Sequence, residues 1–155
     1  MQRRAFLQNI GLAAAAAAVI TPNSVLGAEA PKGANAMNID TALKAVTGGA
    51  KVTPSSKVHL KAPEIAENGA VVPVTVEVDS PMTDSDYVKA IHVFATKNSN
   101  VRCADVMLSP MNGKATFATR IKLGGTQDVM ILAETSKGEF LSASQSVKVT
   151  IGGCG

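Results

Sequence analysis

Apolar and polar residues alternate along most of the chain from residue 58 onward, as they do in β-strands that bury one face. In the run at 72–78, every second residue is valine, and Pro, Thr and Glu stand between them. The same alternation predicts seven short strands, at residues 58–61, 72–79, 91–95, 103–108, 116–123, 129–133 and 146–151. The run at 129–133 is apolar on both faces, which is typical of a strand in the centre of a sheet.

Turn-forming pairs separate these runs, among them Asn68-Gly69, Asn112-Gly113 and Lys137-Gly138. About seven strands at this spacing predict an all-β fold, an immunoglobulin-like antiparallel β-sandwich. The chain has no Trp, and its two cysteines do not have the placing that marks antibody domains. The fold class alone therefore indicates a scaffold and identifies no function.

A helical spacing precedes the strands. Apolar residues recur at i, i+3, i+4 and i+7 in Ile39, Ala42, Leu43 and Val46. Asn38 can cap the start of this helix, and Gly48 can take the left-handed conformation at its end. The sequence predicts one domain over residues 38–151, which begins with this short helix.

The N-terminal segment has the features of an export signal. Arg3 and Arg4 precede the bulky residues Phe6 and Leu7, and an alanine-rich run follows. This run is shorter than the roughly 20 apolar residues that a membrane-spanning helix needs. A charged start, a short apolar middle and small residues after it are typical of a signal peptide.

The paired arginines favour the twin-arginine export route. We expect residues 1–28 to form the signal, with cleavage somewhere between residues 27 and 36, and the mature protein to lie in the periplasm without a membrane span. An ordinary Sec signal or an uncleaved anchor is the alternative. Because the twin-arginine route exports folded proteins and the chain has no cofactor motif, a partner without its own signal could be exported with it.

Charge and composition remove several classes of function. Without Arg3 and Arg4 the chain has 13 basic and 12 acidic residues, and no basic run, so nucleic-acid binding is not expected. No catalytic or nucleotide-binding motif appears, and we expect neither a cofactor nor a metal site. His59 and His92 stand alone in strands, with no carboxylate or cysteine at a spacing that suggests a site. Cys103, inside a strand, is expected to be a buried structural residue.

The last four residues carry the most informative chemistry. Gly152, Gly153 and Gly155 surround Cys154, and the freedom of glycine predicts a flexible C-terminal arm over residues 152–155. Three residues extend about 10 Å at roughly 3.3–3.6 Å each, so the thiol could reach into the active sites of other proteins. A solvated thiol with a pKa near ~8.5 is mostly protonated at neutral pH. Such a thiol needs partners to activate it, which favours a carrier over an enzyme.

Two other functions are open at this point. The terminal cysteine could join two copies by a disulfide, in a periplasmic sandwich with a structural or interaction role. A thiol redox enzyme is a third hypothesis, which the lack of a nearby resolving cysteine disfavours.

The C-terminal residues 147–155 resemble the terminal signature of the SoxY family, the substrate carriers of the periplasmic Sox sulfur-oxidation system. Further matching stretches are residues 62–69, 79–82, 87–92 and 118–122, together with the twin-arginine signal. The resemblance implies that Cys154 holds thiosulfate-derived groups covalently, that Gly152, Gly153 and Gly155 form the flexible arm, and that the chain itself catalyses nothing.

The resemblance also implies a set of partners. SoxZ, a second sandwich protein, would form a heterodimer with the chain. A c-type cytochrome complex would join thiosulfate to the cysteine oxidatively, the SoxB hydrolase would release sulfate, and a sulfur dehydrogenase would oxidise the remaining sulfur where it is present. The chain departs from the family in having one glycine after the cysteine instead of two, and in having Cys103 where an aliphatic residue is expected.

Overall fold

Strands make up most of the structure, which is a computed structural model that describes residues 35–153. Within these residues one α-helix, α1, comprises Ile39–Thr47. The strands are β1 (Val52–Pro54), β2 (Val58–Lys61), β3 (Ile65–Asn68), β4 (Val72–Val78), β5 (Val88–Ala95), β6 (Arg102–Met107), β7 (Ala115–Ile121), β8 (Gln127–Thr135) and β9 (Phe140–Ile151). A short 3-10 helix at Pro110–Asn112 joins β6 to β7.

Two sheets are present among the described residues. The larger has the order β1-β9-β8-β5-β6, with β3 also on β9, and the smaller has the order β2-β4-β7. This confirms the predicted β-sandwich class, and β8 is a central strand as expected. The nine strands of residues 35–153 exceed the predicted seven because the sequence pattern does not reveal β1 and β3. β1 pairs in parallel with the first residues of β9, and β3 pairs in parallel with its last residues.

The main core lies between the sheets. The four valines of β4 are at most 3% exposed, while the residues between them are exposed. They pack with apolar side chains of the larger sheet, among them Ile91, Val93, Ile131 and Val147. Burial of each such side chain contributes about 1.5–3 kcal/mol. The alternation in the sequence is therefore the signature of this interlayer core.

Helix α1 covers a second, smaller core on the larger sheet. Ala42 packs with Phe94, Leu132 and Phe140. The residues next to Phe94 in β5 and next to Leu132 in β8 face the main core, on the opposite side of the larger sheet. The caps are those that the sequence predicts. The Asn38 Oδ1 accepts a hydrogen bond from the Thr41 N–H at 2.8 Å, and Gly48 has a φ of 62°. In residues 35–153 no helix is both long and apolar enough to cross a membrane.

Some of the predicted site residues lie outside the described residues. They are Arg3, Arg4, Phe6 and Leu7 of the export signal, and Cys154 and Gly155 of the arm. The export route, the cleavage site and the role of the terminal thiol stay predictions.

Candidate functional site

The C-terminal arm leaves β9 at a place where three segments of backbone meet. The Gly153 N–H donates a hydrogen bond to the Leu123 carbonyl at 2.9 Å. Gly69 links the other two segments, because its N–H donates to the Ile151 carbonyl and its carbonyl accepts from the Leu123 N–H, both at 2.7 Å. We call Gly69, Ala70, Leu123 and Gly124 the arm seat.

The arm seat is so tight that only glycine fits at two positions of the arm. A Cβ atom on Gly153 would lie 2.7 Å from the Ala70 backbone, and one on Gly152 would lie within 3.0 Å of the Gly124 carbonyl oxygen. Real Cβ atoms essentially never make contacts this short with backbone, which cannot move aside as a flexible side chain can. Gly152 and Gly153 are therefore needed for the close approach of two backbones.

This finding changes the physical reason for the glycines of the arm. The sequence alone predicts a flexible arm, in which Gly152 and Gly153 contribute backbone freedom. In the structure both lie close to the backbone of the arm seat, although Gly152 is exposed and Gly153 is partly exposed. Any freely moving part of the arm then begins after Gly153, at Cys154 and Gly155, whose motion stays a prediction.

Exposed apolar side chains lie beside the arm seat. Val71 follows the seat residue Ala70 and is 55% exposed, and Ile151, the last residue of β9, is 67% exposed. The loop that carries Val71 is held in a turn, because the Asn68 Oδ1 accepts a hydrogen bond from the Ala70 N–H at 2.9 Å. The arm thus leaves the domain beside an apolar surface of fixed shape.

Asn98, in the loop between β5 and β6, supports the arm seat from the other side. Its Nδ2 donates to the Lys122 carbonyl at 2.8 Å, and its Oδ1 accepts from the Gly124 N–H at 3.0 Å. The Gln127 Nε2 donates to the same Oδ1 at 2.8 Å. A single amide therefore ties the β7–β8 turn, which contains half of the seat, to the β5–β6 loop.

Cys103 is half-buried and lines a surface cavity next to Asn98. Its Sγ lies 3.7 Å from the Val101 carbonyl oxygen. Burial raises the pKa of the Cys103 thiol to about 11, so the thiol is protonated at neutral pH. Cys103 is thus half-buried and not buried as its strand position predicts, and a protonated thiol of this kind is a poor nucleophile.

Both histidines have carboxylate partners, which corrects the interpretation that they stand alone. The His59 Nε2 lies 2.9 Å from the Asp79 Oδ2 at the surface. His92 is 4% exposed, and its Nδ1 lies 2.5 Å from the Asp105 Oδ1. His92 and Asp105 face each other because β5 pairs with β6 in that register, so only knowledge of the strand pairing could have revealed the contact.

Asp105 also accepts a hydrogen bond from the Arg102 guanidinium at 2.8 Å. Although burial acts to raise it, hydrogen bonds from His92 and Arg102 lower the pKa of the Asp105 carboxyl below its ordinary value. The His92 Nε2 is buried without a hydrogen-bond partner. Within residues 35–153, no group of three or more His, Cys, Asp or Glu side chains is placed to hold a metal ion. This cluster is best explained as a structural link between β5 and β6.

Comparison with known proteins gives a family match over most of the chain. The model of the family described as sulfur oxidation protein SoxY matches residues 43–154. The structure of the sulfur carrier protein SoxY from Chlorobium limicola f thiosulfatophilum is similar, with 32% sequence identity and a TM-score of 0.63. The match covers 74% of this chain and 97% of that one. No protein among the curated sequences matches the chain.

Superoxide reductases share the fold at much lower identity. The enzyme from Ignicoccus hospitalis is 16% identical with a TM-score of 0.55, over 60% of this chain and 80% of that one. The enzyme from Nanoarchaeum equitans is 9% identical with a TM-score of 0.52, over 62% of this chain and 99% of that one. At such identities the likeness concerns the fold alone.

Proposed function

Because the chain belongs to the SoxY family of sulfur oxidation proteins, we propose that it is a carrier that holds its sulfur substrate covalently on Cys154. The family match carries this proposal, since it runs along the whole sandwich domain and ends at Cys154 itself. The packed glycines of the arm support it, because they fix the point from which the thiol extends. The chain provides the attachment point, and its partners provide the catalysis.

The proposed chemistry begins with an oxidative attachment. The thiol of Cys154 and thiosulfate lose one proton and two electrons and form a sulfur–sulfur bond, which gives a cysteine S-thiosulfonate. The electrons pass to the c-type cytochrome complex of the Sox system. The hydrolase SoxB then adds water to the terminal sulfonate, which releases sulfate and two protons and leaves a persulfide on Cys154. A sulfur dehydrogenase, where present, oxidises that remaining sulfur.

The surroundings of the arm suit a substrate that several enzymes must process in turn. Hydrogen bonds and close contacts hold the backbone through Gly153, so the carrier presents its thiol from a defined place. The exposed side chains of Val71 and Ile151 beside this place offer apolar contact area to a docking enzyme. A base of defined geometry gives each enzyme the same surface to recognise.

We place this function in the periplasm, in a heterodimer with SoxZ. The support is family membership together with the sequence of residues 1–28, in which Arg3 and Arg4 precede Phe6, Leu7 and a short apolar run. An export signal on one subunit would be enough for a route that carries folded proteins, so a partner without a signal could travel with the chain.

Mass spectrometry after turnover tests the proposal. The purified heterodimer is incubated with thiosulfate and the cytochrome complex, without the hydrolase, and its peptides are then analysed. We expect a thiosulfonate adduct on the peptide that contains Cys154, and no adduct in a Cys154→Ser variant. The matched control is Cys103→Ser, which should keep the adduct. Disulfide-linked homodimers as the sole product would contradict the carrier function and favour the dimerising structural protein.

A further inference from the structure

The loop between β5 and β6 is bonded to the segment that precedes helix α1. Its Ser99 carbonyl accepts a hydrogen bond from the Met37 N–H at 2.9 Å, and its Val101 N–H donates to the Met37 carbonyl at 3.3 Å. The Met37 side chain packs against the second core, beneath the helix. The β5–β6 loop is thus anchored to the N-terminal side of the domain.

Asn98 joins the same loop to the β7–β8 turn, which contains half of the arm seat. Its side-chain amide bonds the backbone of Lys122 and of Gly124, the residues on either side of Leu123. The Leu123 carbonyl in turn accepts the hydrogen bond from the Gly153 N–H. Asn98 therefore holds the chain on both sides of the group that holds the arm.

Gln127 fixes the orientation of the Asn98 amide. Its Nε2 donates to the Asn98 Oδ1 at 2.8 Å and to the Gly125 carbonyl at 3.2 Å, and its Oε1 accepts from the Lys97 N–H at 2.8 Å. Gln127 is 3% exposed, so a break in any of these bonds would leave a buried polar group unsatisfied. We call Asn98, Gln127 and Met37 the amide network.

We propose that Asn98 is a positioning residue for the carrier reaction, and that Gln127 and Met37 keep it in place. This inference rests on the proposed function, and it extends the control of the arm to a network that begins before helix α1. The network holds the Leu123 carbonyl and thereby sets the point from which Cys154 extends. Such precision matters in catalysis, because a misplacement of about 1 Å can lower a rate about a hundredfold.

Amide exchange of Gly153 measures the action of the network without any partner enzyme. Asn98→Ala removes the three hydrogen bonds of the side chain, and we expect the Gly153 amide to exchange with solvent about tenfold faster. Asn98→Asp keeps the acceptor and loses the donor, so its rate should lie between the two. The matched control is Asn112→Ala, which removes another turn asparagine whose Oδ1 accepts from a backbone N–H, that of Ser109. This control should leave the exchange of Gly153 unchanged.

The amides of β4, which lies between β2 and β7, report unfolding of the whole domain in the same samples. Faster exchange at Gly153 with unchanged exchange in β4 supports the proposal. Equal acceleration in β4 would overturn it, because Asn98 would then be a general structural residue. Unchanged exchange at Gly153 in Asn98→Ala would overturn it as well.

Enzymatic loading of Cys154 tests whether this position matters for the reaction. We expect Asn98→Ala to slow loading by the cytochrome complex about tenfold, since the enzyme needs a defined geometry. Labelling of Cys154 by iodoacetamide should stay unchanged, because a small reagent needs no docked arm. If Asn98 acts through the arm seat, Asn98→Ala should add little to the effect of Gly153→Ala in the double variant. Full addition of the two effects would show that Asn98 acts elsewhere.

Met37→Pro tests the N-terminal end of the amide network, because proline lacks the N–H that bonds Ser99. We expect exchange of the Gly153 amide about threefold faster, which corresponds to one weakened hydrogen bond. Met37→Leu keeps the N–H and a similar side-chain volume, so it should exchange like the unmodified protein. Equal rates in the two variants would overturn the role of the N-terminal segment. Failure of thiosulfate to load the unmodified protein would instead contradict the proposed function and leave the exchange rates unaffected.

Discussion

At the scale of single residues, the glycines of the arm illustrate two different uses of a missing side chain. Gly48 needs its left-handed φ of 62° to end a helix. Gly152 and Gly153 instead need the absence of a Cβ atom, because the backbone of the arm seat is closer to them than a Cβ atom allows. The same residue type thus indicates a turn in one place and close backbone packing in another.

Replacement of Gly153 by alanine should release the arm from its seat. The added Cβ atom would lie 2.7 Å from the Ala70 backbone, so the bond from residue 153 to the Leu123 carbonyl should break. We expect the amide of residue 153 to exchange with solvent at least tenfold faster, and turnover with partner enzymes to fall. The matched control is Gly125→Ala, where the new Cβ atom meets nothing within 4 Å. Similar exchange and turnover in the two variants would show that the seat does not hold the arm.

The two cysteines should differ in their reactivity toward iodoacetamide, and the difference should depend on pH. With a pKa raised by burial to about 11, Cys103 has about one thiolate in a thousand molecules at pH 8. A solvated thiol with a pKa near about 8.5 has roughly a quarter. We therefore expect Cys154 to be labelled hundreds of times faster at pH 8, and the labelling of Cys103 to rise about tenfold per pH unit up to pH ~11.

Peptide mass spectrometry with Cys103→Ser and Cys154→Ser variants assigns each rate of labelling to one thiol. Equal rates at pH 8 would contradict the burial of Cys103 and would reopen a mechanism with two thiols.

At the scale of secondary-structure elements, the link between β5 and β6 depends on a polar contact in an apolar setting. His92 is buried on β5, and Asp105 on β6 is its partner. Asp105 is held in turn by Arg102, three residues earlier on the same strand. The exposed pair of His59 and Asp79 has the same chemistry at the surface, where water competes for both groups. The two pairs therefore form a natural comparison of a buried and an exposed contact.

Replacement of Asp105 by asparagine should destabilise the domain by about 1–3 kcal/mol at pH 7, because it leaves a buried histidine without its charged partner. The pKa of Asp105 is lower in the folded protein than in the unfolded chain. The stability that this carboxylate contributes is therefore complete above the ordinary carboxyl pKa, and it is lost as the pH falls through the lower pKa of the folded state. The difference in the free energy of unfolding between the variant and the unmodified protein should therefore be smaller at pH 3 than at pH 7.

Urea unfolding at the two pH values measures this difference. Asp79→Asn, the control at the exposed pair, should change the free energy of unfolding little at either pH. If Asp105→Asn lowers the free energy of unfolding by the same amount at pH 7 and pH 3, the stabilising charge does not lie on this carboxylate.

At the scale of the whole domain, β9 connects the sheet to the arm. It is the longest strand, with 12 residues, and it pairs with β8 along one edge and with β1 and β3 along the other. Its last residue, Ile151, pairs with Asn68 of β3 and leads directly into Gly152. The start of the arm is thus tied to the most extensively paired strand of the larger sheet, which suits the carrier function proposed above.

Much of this organisation was predictable because it depends on local sequence. Alternation of apolar residues identified β4 and the other strands of the core, since each strand shows its period over its own residues. The helix and both of its caps followed from Asn38, Gly48 and the spacing between them. The terminal Gly-Gly-Cys-Gly sequence predicts a flexible arm, but Gly152 and Gly153 lie close to the backbone of the arm seat, and the flexibility of the arm stays a prediction.

The remaining features needed the tertiary structure, because they join residues that are far apart in the chain. β1 has only three residues, and the sequence of β3, Ile-Ala-Glu-Asn, does not alternate between apolar and polar residues, so only their pairing with β9 makes them strands. The partner of His92 follows from the register of β5 on β6, and the arm seat from the meeting of residues near 69, 123 and 153. Local pattern determined most of the elements that form, and strand register decided which backbone segments meet at the arm seat.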